Sequence, residues 1–210
     1  FSDVYKAWNN NSLAIDRANQ VISGIQKSAN SSNAEMQQIL GEAYCLRAYR
    51  YFLLCNFWGD VPYFSDPALY GHELDKPKTD KNIIYTQCIQ DLVDCEGNMK
   101  WSDTNTGGIE RMNRDFALGM ISRLALFRAG YGMTKEGTMK KADDYLTTSS
   151  DSLTVTYTDI NGTKQTASTS ADYYKLAKNY CQKLIQLKPR PLRSDFAQIF
   201  KDECQYKVTN

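Results

Sequence analysis

Apolar residues recur along most of this chain at intervals of three, four and seven positions, which is the spacing of one face of an α-helix. The first such segment, Ser2 to Ser28, predicts an amphipathic helix that runs into the polar stretch from Lys27 to Asn33. One stripe of this helix is expected to be buried against the rest of the fold. Its members are Tyr5, Trp8, Ile15, Ala18, Ile22 and Ile25.

The second helical segment runs from about Ala34 to Trp58 and carries two apolar stripes on different sides, so neighbours are expected on two sides. Gly59 suits the left-handed residue that closes a helix, and Pro62 prevents the helix from resuming. The chain is therefore expected to stop there and leave in extended form. The first stripe comprises Ile39, Ala43, Leu46, Tyr49, Leu53 and Phe57, and the second comprises Tyr44, Ala48, Tyr51, Cys55 and Trp58.

Three further segments share the helical period. The third begins at a cap on Thr79 or Asp80, the fourth spans about Asn113 to Ala129, and the fifth begins at a cap on Ser170. The inward positions expected on them are Ile84, Tyr85, Cys88, Ile89, Leu92 and Cys95; then Phe116, Met120, Ile121, Leu124, Ala125 and Phe127; then Tyr173, Tyr174, Ala177, Tyr180, Cys181, Leu184 and Ile185.

One segment departs from the helical pattern. Near 153–169, apolar residues alternate with threonines around Asn161-Gly162, a dipeptide that strongly favours a two-residue type I′ turn. We therefore predict a small β-hairpin that projects from a helical body, and one more short helical turn from Ser194 to Phe200. Antiparallel helical pairs joined by loops of varied length favour an all-α fold of degenerate tetratricopeptide-like hairpins.

Composition and charge argue for a folded protein that neither binds nucleic acid nor contains a membrane-spanning helix. A chain of 210 residues with 42% apolar and 12% aromatic residues suits one folded core. With 25 Lys+Arg, 24 Asp+Glu and no basic run, nucleic acid is not an expected partner. No apolar segment approaches the roughly 20 residues that cross a bilayer. The chain starts with neither an initiator Met nor a signal peptide, so a targeting segment is expected to have been removed.

Metal chemistry has little support in this sequence. The chain has a single histidine, His72, and its cysteines form no CxxC pair, so a zinc site of familiar spacing is not expected. We interpret the cysteines as small buried hydrophobes on helix faces, and any disulfide would have to join different elements. The six are Cys45, Cys55, Cys88, Cys95, Cys181 and Cys204.

Catalysis is also not expected. The chain has no nucleophile elbow, glycine-rich phosphate loop or dinucleotide fingerprint. Asp91 and Asp94 on the third helix are interpreted as its solvated edge rather than as an acid–base pair, because nothing nearby in the sequence would separate their pKa values. We therefore expect neither an enzyme nor a bound cofactor.

Two arginines, Arg47 and Arg50, lie within the apolar second helix. An unpaired buried charge is costly, so both are expected to hold carboxylates from neighbouring elements. Glu42 and Asp60 are possible partners.

Candidate binding residues lie in the loops. Trp101 sits in a polar loop without periodic apolar partners, and exposed aromatic rings are natural platforms for sugar rings or protein partners. Packing of Trp101 against the body of the fold is an equal alternative. Tyr70 and His72, in the loop that ends at Glu73, are two further candidates, although a loop histidine without a role is the simpler interpretation of His72.

One string of residues resembles a known family. The segment Gly41 to Phe52, GEAYCLRAYRYF, together with Phe57 to Tyr63, FWGDVPY, resembles the signature of the SusD/RagB family, the surface glycan-binding lipoproteins of Bacteroidetes. Additional segments that are similar to the family lie in the same order along nearly the whole chain. They are Ala18 to Ile22, Ile83 to Leu92, Arg114 to Gly130, Tyr173 to Ala177 and Asp195 to Phe200.

The resemblance implies a non-catalytic helical scaffold that binds oligosaccharide at the cell surface and serves nutrient uptake with a TonB-dependent transporter. It also implies attachment to the outer membrane through a lipidated N-terminal cysteine that is missing from this chain. Residues 1–210 would be the N-terminal helical part of the family domain, with the C-terminal part absent from this chain. No binding residue is carried over by motif. A helical-repeat scaffold for protein–protein interaction is the alternative.

Overall fold

The computed structural model describes residues 2–67, 76–104, 110–146, 153–192 and 194–204. Within these ranges the chain forms six α-helices, which confirms the predicted all-α fold of successive helical pairs. They are α1 (Ser2–Gln26), α2 (Ala34–Trp58), α3 (Lys81–Cys95), α4 (Arg114–Ala129), α5 (Ser170–Leu187) and α6 (Phe196–Cys204). None of the helices in these ranges combines the length and the apolar character of a membrane span.

In the part of the chain that the structure describes, three short antiparallel hairpins lie between the helices. They pair β1 (Val61–Pro62) with β2 (Lys78–Thr79), β3 (Tyr131–Met133) with β4 (Met139–Lys141), and β5 (Val155–Thr158) with β6 (Lys164–Ala167). The β5–β6 hairpin was predicted from its alternating pattern. The other two were missed because strands of two or three residues are too short to show a period.

The turn of the β5–β6 hairpin is wider than the predicted two-residue type I′ turn. The ladder ends at residues 158 and 164, so residues 159–163 form the loop. The Asp159 side chain accepts hydrogen bonds from the amides of Asn161 and Thr163, both at 2.9 Å, and this side-chain turn stabilises the longer loop. Gly162 has a φ of 83°, a conformation that glycine adopts without strain.

Helix α2 lies at the centre of the body, in contact with α1, α3 and α4. Its bounds match the prediction because clear signals mark both ends. The Asn33 side chain accepts a hydrogen bond from the Glu35 amide at 2.8 Å, and Gly59 closes the helix with a φ of 72°. Gly41 allows close packing, since an added Cβ would lie 2.5 Å from Cγ of Met99.

One of the two apolar stripes predicted on α2 is only partly buried. Tyr51 and Cys55, from the second stripe, are buried. From the first stripe, Ile39, Leu46 and Phe57 are 37%, 40% and 74% exposed. The expectation of neighbours on two sides of α2 is confirmed, since α1, α3 and α4 all contact it, but half of the first stripe faces away from them. We call the three exposed residues the outer ridge of α2.

The inward face of α3 was predicted correctly at all six positions, which are buried. Elsewhere single positions were wrong because the buried stripe is narrower than the apolar pattern. Residues expected to be inward but found exposed are Tyr5, Phe127, Tyr174, Cys181 and Ile185.

The caps of α3 and α5 are set by side-chain hydrogen bonds. Asp80 caps α3 by accepting from the Asn82 amide at 2.8 Å, as one of the two alternatives predicted. Helix α5 is capped by Thr169 rather than by Ser170. Thr169 and Asp172 accept hydrogen bonds from each other's backbone amides, a reciprocal arrangement that moves the cap one residue earlier.

A buried ion pair joins α2 to α3 and to the chain that follows α2. Arg47 is 3% exposed and donates from Nη2 to Asp91 Oδ2 at 2.7 Å. Its Nη1 donates to Asn19 Oδ1 and to the Ser65 carbonyl, both at 2.8 Å. Burial alone would lower the pKa of the guanidinium, but the charge and hydrogen bond of Asp91 outweigh that effect and raise it. Arg47 thus holds the extended exit of α2 against the first and third helices.

This pairing corrects two expectations. The carboxylate that Arg47 holds is Asp91, not Glu42 or Asp60, and Asp91 is not part of a solvated edge. Asp94, three residues later, is exposed as predicted. The partner of Arg47 could not be predicted from nearby carboxylates, because it lies on another helix, 44 residues along the chain.

The two remaining candidate partners are engaged elsewhere. Glu42 pairs with Arg111 at 2.7 Å, and Asp60 accepts a hydrogen bond from the Lys81 amide at 3.0 Å. Arg50 donates to Asn11 Oδ1 at 3.4 Å, so its described partner is an amide rather than a carboxylate.

The interpretation of the cysteines as buried thiols is confirmed for four of them and wrong for Cys181. Burial raises the pKa of the buried thiols, which keeps them protonated. The free, buried thiols are Cys45, Cys55, Cys88 and Cys95, on α2 and α3. Cys181, on α5, is free and exposed.

We expect a thiol reagent at mildly alkaline pH to label Cys181 in the folded protein and to spare the four buried cysteines until the protein unfolds. The thiolate is the reactive form, and the buried thiols are both inaccessible and protonated. Peptide mass spectrometry of a Cys204→Ser variant checks this. Labelling of Cys45 or Cys88 before unfolding would contradict the described packing.

Candidate functional site

Trp101 follows the turn after α3 and is half-buried against the core. The Arg114 guanidinium carbon lies 4.9 Å from the centre of its ring, a cation–π arrangement that covers one face. A sugar could therefore meet only the remaining part of the ring, and its role in binding stays a prediction. Tyr70 and His72, the other two candidates, lie outside the described residues.

The loop that carries Trp101 is pinned to α4 and to the end of α5. The Ser102 amide donates to Asp115 Oδ2 at 2.9 Å. Arg190 donates to Asp115 Oδ1 at 2.7 Å and to Ser102 Oγ at 2.6 Å, and Lys188 pairs with Asp103. These contacts hold Ser102 and Asp103 against α4 and against the chain that follows α5.

The hydrogen bonds that Asp115 accepts from Ser102 and Arg190 are expected to weaken at low pH, when Asp115 is protonated. Burial alone would raise the pKa of Asp115, but hydrogen bonds from Ser102 and Arg190 bring it below the ordinary value of 3.8. A lowered pKa in the folded state means that the stabilisation is complete above the unfolded value and is lost as pH falls through the folded value.

We therefore expect the Ser102 amide resonance to be constant near neutral pH and to shift as Asp115 is protonated, with a midpoint below the ordinary value of 3.8. A two-dimensional NMR titration measures this midpoint. In an Arg190→Gln control the midpoint should move to higher pH, because the charge of Arg190, which helps to lower the pKa of Asp115, is removed. A wild-type midpoint at or above 3.8 would contradict the described hydrogen bonds.

A polar cleft of about 490 Å³ opens where the end of α3 faces the β5–β6 hairpin and α5. We call it the α3–hairpin cleft. It contains hydroxyl, amide, carboxylate and ammonium groups together with two tyrosine rings. Its lining residues are Gln90, Val93, Asp94, Glu96, Gly97, Asn98, Thr156, Tyr157, Thr158, Lys164, Tyr180 and Lys183.

Gln90 fixes the hairpin wall of the cleft to α3. Its side-chain oxygen accepts from the Thr156 amide at 2.9 Å, and its side-chain nitrogen donates to the Thr156 carbonyl at 3.2 Å. The same nitrogen donates to Asp94 Oδ1 at 2.8 Å. One amide side chain therefore positions both the strand β5 and the carboxylate at the rim.

Glu96 ties the floor of the cleft to two further helices. Its carboxylate is 4% exposed and accepts from Arg114 Nε, on α4, at 2.7 Å. The other carboxylate oxygen pairs with Lys183, on α5. Because both cations are largely buried with it, this triad is a rigid junction rather than a mobile surface pair.

Two tyrosines lie beneath the cleft. The ring centres of Tyr157 and Tyr180 are 6.1 Å apart, and the residues are 7% and 1% exposed. Burial raises the pKa of both hydroxyls, so they stay protonated at neutral pH. Rings this buried cannot stack against a sugar face, so the cleft can recognise a ligand only through hydrogen bonds at its polar walls.

The sequence prediction named none of the cleft residues as a binding group. The cleft brings α3 against the β5–β6 hairpin and α5, which follow much later in the chain, with Gln90 and Thr156 lying 66 positions apart, so this juxtaposition has no local signal. The sequence signal that could have indicated part of the cleft is the alternation of β5, in which exposed Thr156 and Thr158 alternate with buried Val155 and Tyr157.

In the described ranges, no group of three or more histidine, cysteine, aspartate or glutamate side chains is arranged to hold a metal ion.

Residues 2–126 match the SusD-like family whose description is "Starch-binding associating with outer membrane". The match covers more than half of the chain, and the chain belongs to this family. The family description is one of binding, in agreement with the expectation of a binding protein rather than an enzyme.

Individual relatives extend the comparison. The chain is similar to SusD-like protein P38 of Formosa agariphila, with 35% identity over 63 residues, which is 30% of this chain and 12% of that protein. It is similar in fold to a SusD homologue of Bacteroides thetaiotaomicron, with a TM-score of 0.68 and 16% identity over 97% of this chain and 33% of the other. A crystal structure with a xylogluco-oligosaccharide gives a TM-score of 0.64 and 18% identity over 95% of this chain and 33% of the other. The chain therefore spans only a part of each of these relatives.

Proposed function

We propose that this chain is the N-terminal helical part of a non-catalytic glycan-binding protein at the cell surface. It would be held at the outer membrane by a lipid anchor and would pass oligosaccharides to a TonB-dependent transporter. The observation that carries this proposal is the family match over residues 2–126, whose description joins starch binding to the outer membrane. The structural likeness to a chain solved with a xylogluco-oligosaccharide supports glycan as the ligand class.

Glycan recognition in this proposal depends on positioned polar groups and on partly accessible aromatic rings. The pinned loop of Trp101 offers one candidate surface, and the α3–hairpin cleft offers a second. Tyr70 and His72 remain candidates from the sequence.

Native gels that contain soluble starch, xyloglucan or laminarin test the binding function. We expect the full-length protein to be retarded by at least one polysaccharide, while a non-binding reference protein migrates unchanged. Full-length protein is needed because this chain spans about a third of the solved relatives. Unchanged mobility across a broad panel of polysaccharides would count against the proposal.

Affinity purification from outer membranes tests the transporter partnership. We expect a tagged full-length protein to recover a TonB-dependent transporter with the stoichiometry of a stable complex. Recovery of no transporter under conditions that keep the membrane proteins intact would reject this part of the proposal and leave glycan binding unaffected.

A protein-interaction scaffold is the second candidate, and the outer ridge of α2 is the observation that favours it. Exposed apolar side chains in a row are typical of interaction surfaces, and Phe57 is 74% exposed. A Phe57→Ser variant tests the scaffold function. It should lose a protein partner that wild type retains if the ridge is a contact surface, and it should bind polysaccharide like wild type if the glycan-binding function holds.

A further inference from the structure

We propose that the α3–hairpin cleft binds an uncharged sugar unit of a glycan chain through hydrogen bonds rather than through aromatic stacking. This inference rests on the proposed function and assigns it a place on the chain. The cleft has a volume of about 490 Å³, which lies within the range of about 300–1,000 Å³ that is typical of small-ligand sites.

The rim of the cleft offers both donors and acceptors. Thr156 and Thr158 present hydroxyl groups from the exposed face of β5, and Lys164 lies opposite Thr158 on β6. Asp94 and Asn98 face them from the end of α3 and the turn that follows. A sugar hydroxyl both donates and accepts, so this mixture of groups matches a polyhydroxyl ligand better than it matches an apolar one.

The charges that line the cleft balance. Two ammonium groups, on Lys164 and Lys183, stand against two carboxylates, on Asp94 and Glu96. Lys183 is already paired with Glu96, which also holds Arg114. Both of these cations are engaged by Glu96, so a carboxylated or sulfated sugar would meet the exposed Asp94 carboxylate with Lys164 as the remaining lining cation to offset it. An uncharged sugar avoids that repulsion.

The walls of the cleft are held in place before any ligand arrives. Gln90 bonds to both backbone groups of Thr156, and Glu96 joins the floor to α4 and α5. The tip of the hairpin is fixed as well, because the Ile160 amide donates to Asn179 Oδ1 at 2.9 Å. A preformed site loses less conformational entropy on binding, which suits recognition by a few hydrogen bonds.

Gly97 allows the cleft to be blocked with little disturbance. It lines the cleft, and an added Cβ would have no atom within 4 Å. Gly119, on the exposed side of α4, has the same open surroundings and does not line the cleft. Gly97→Leu and Gly119→Leu therefore form a matched pair that adds the same side chain inside and outside the site.

The test is isothermal titration of full-length wild type and both variants with soluble starch, xyloglucan and laminarin. We expect Gly97→Leu to weaken binding at least about tenfold, equivalent to about 1.4 kcal/mol, while Gly119→Leu binds like wild type. Wild-type binding should change little between low and high salt, because the ligand carries no charge. Polygalacturonate, an acidic probe, should bind more weakly than the preferred neutral polysaccharide.

The outcomes separate this inference from the proposed function. If wild type binds a polysaccharide and Gly97→Leu binds it equally well, the cleft is not the site while glycan binding stands. Equal losses in both leucine variants, or a preference for polygalacturonate that salt abolishes, would also overturn the inference. If wild type binds no glycan at all, the proposed function fails and the inference fails with it. Thermal unfolding of each variant, followed by circular dichroism, verifies that it is folded.

Discussion

Replacing Arg47 with methionine is expected to lower the free energy of unfolding by about 3–5 kcal/mol. The guanidinium is 3% exposed and is shared by Asp91, Asn19 and the Ser65 carbonyl. Methionine fills much of the same space, but it leaves the Asp91 carboxylate without its counter-charge and two acceptors without a donor. Urea unfolding followed by circular dichroism measures the loss.

Arg111→Met is the matched control. Arg111 also forms a 2.7 Å ion pair, with Glu42, but its side chain is 40% exposed, so solvent screens the interaction. Its loss should cost no more than about 1 kcal/mol. If the two variants lose the same stability, the Arg47 network is not the junction that the structure describes.

Replacing Glu96 with glutamine is expected to cost about 3 kcal/mol, because it leaves the Arg114 and Lys183 cations close together without the carboxylate that they share. Glutamine keeps the size of the side chain, so the loss measures charge rather than packing. Thermal and urea unfolding provide two independent values. The variant should also weaken glycan binding, since Lys183 lines the α3–hairpin cleft.

The comparison variant for Glu96 is Glu136→Gln. Glu136 approaches Lys135 at 3.8 Å on an exposed loop, where such pairs contribute little. We expect the free energy of unfolding to be unchanged by this substitution. A Glu96→Gln variant as stable as Glu136→Gln would show that the buried triad does not hold α3, α4 and α5 together.

Helix positions could be predicted from the sequence because the signals are local. Asn33 and Gly59 act within one turn of the ends of α2, and the apolar period needs no knowledge of the neighbours. The orientation of a helix is not a local property. Ile39 and Tyr51 look alike in the pattern, yet one faces outward and the other is nearly fully buried, because packing with α1, α3 and α4 decides between them.

The partners in the buried ion pairs and the α3–hairpin cleft could not be predicted from the sequence, because they too depend on how distant elements pack. Asp91 became the partner of Arg47 when α3 packed beside α2, and Glu96 acquired Lys183 from 87 residues further along the chain. The accessibility of the Trp101 ring could not be predicted from its sequence neighbours either. Its polar neighbours in the sequence left a free ring and packing against the fold as equal alternatives, and in the fold the ring is half-buried with Arg114 over one face.

Binding of intact oligosaccharide tests the central claim most directly. Full-length protein is titrated with oligosaccharides of defined length prepared from the polysaccharide that retards it in native gels, and the sugar is then recovered and sized. We predict saturable binding and recovery of every oligosaccharide at its original length, since the chain belongs to a family described by binding. Absence of saturable binding across the panel, or recovery of shortened products, would contradict the account.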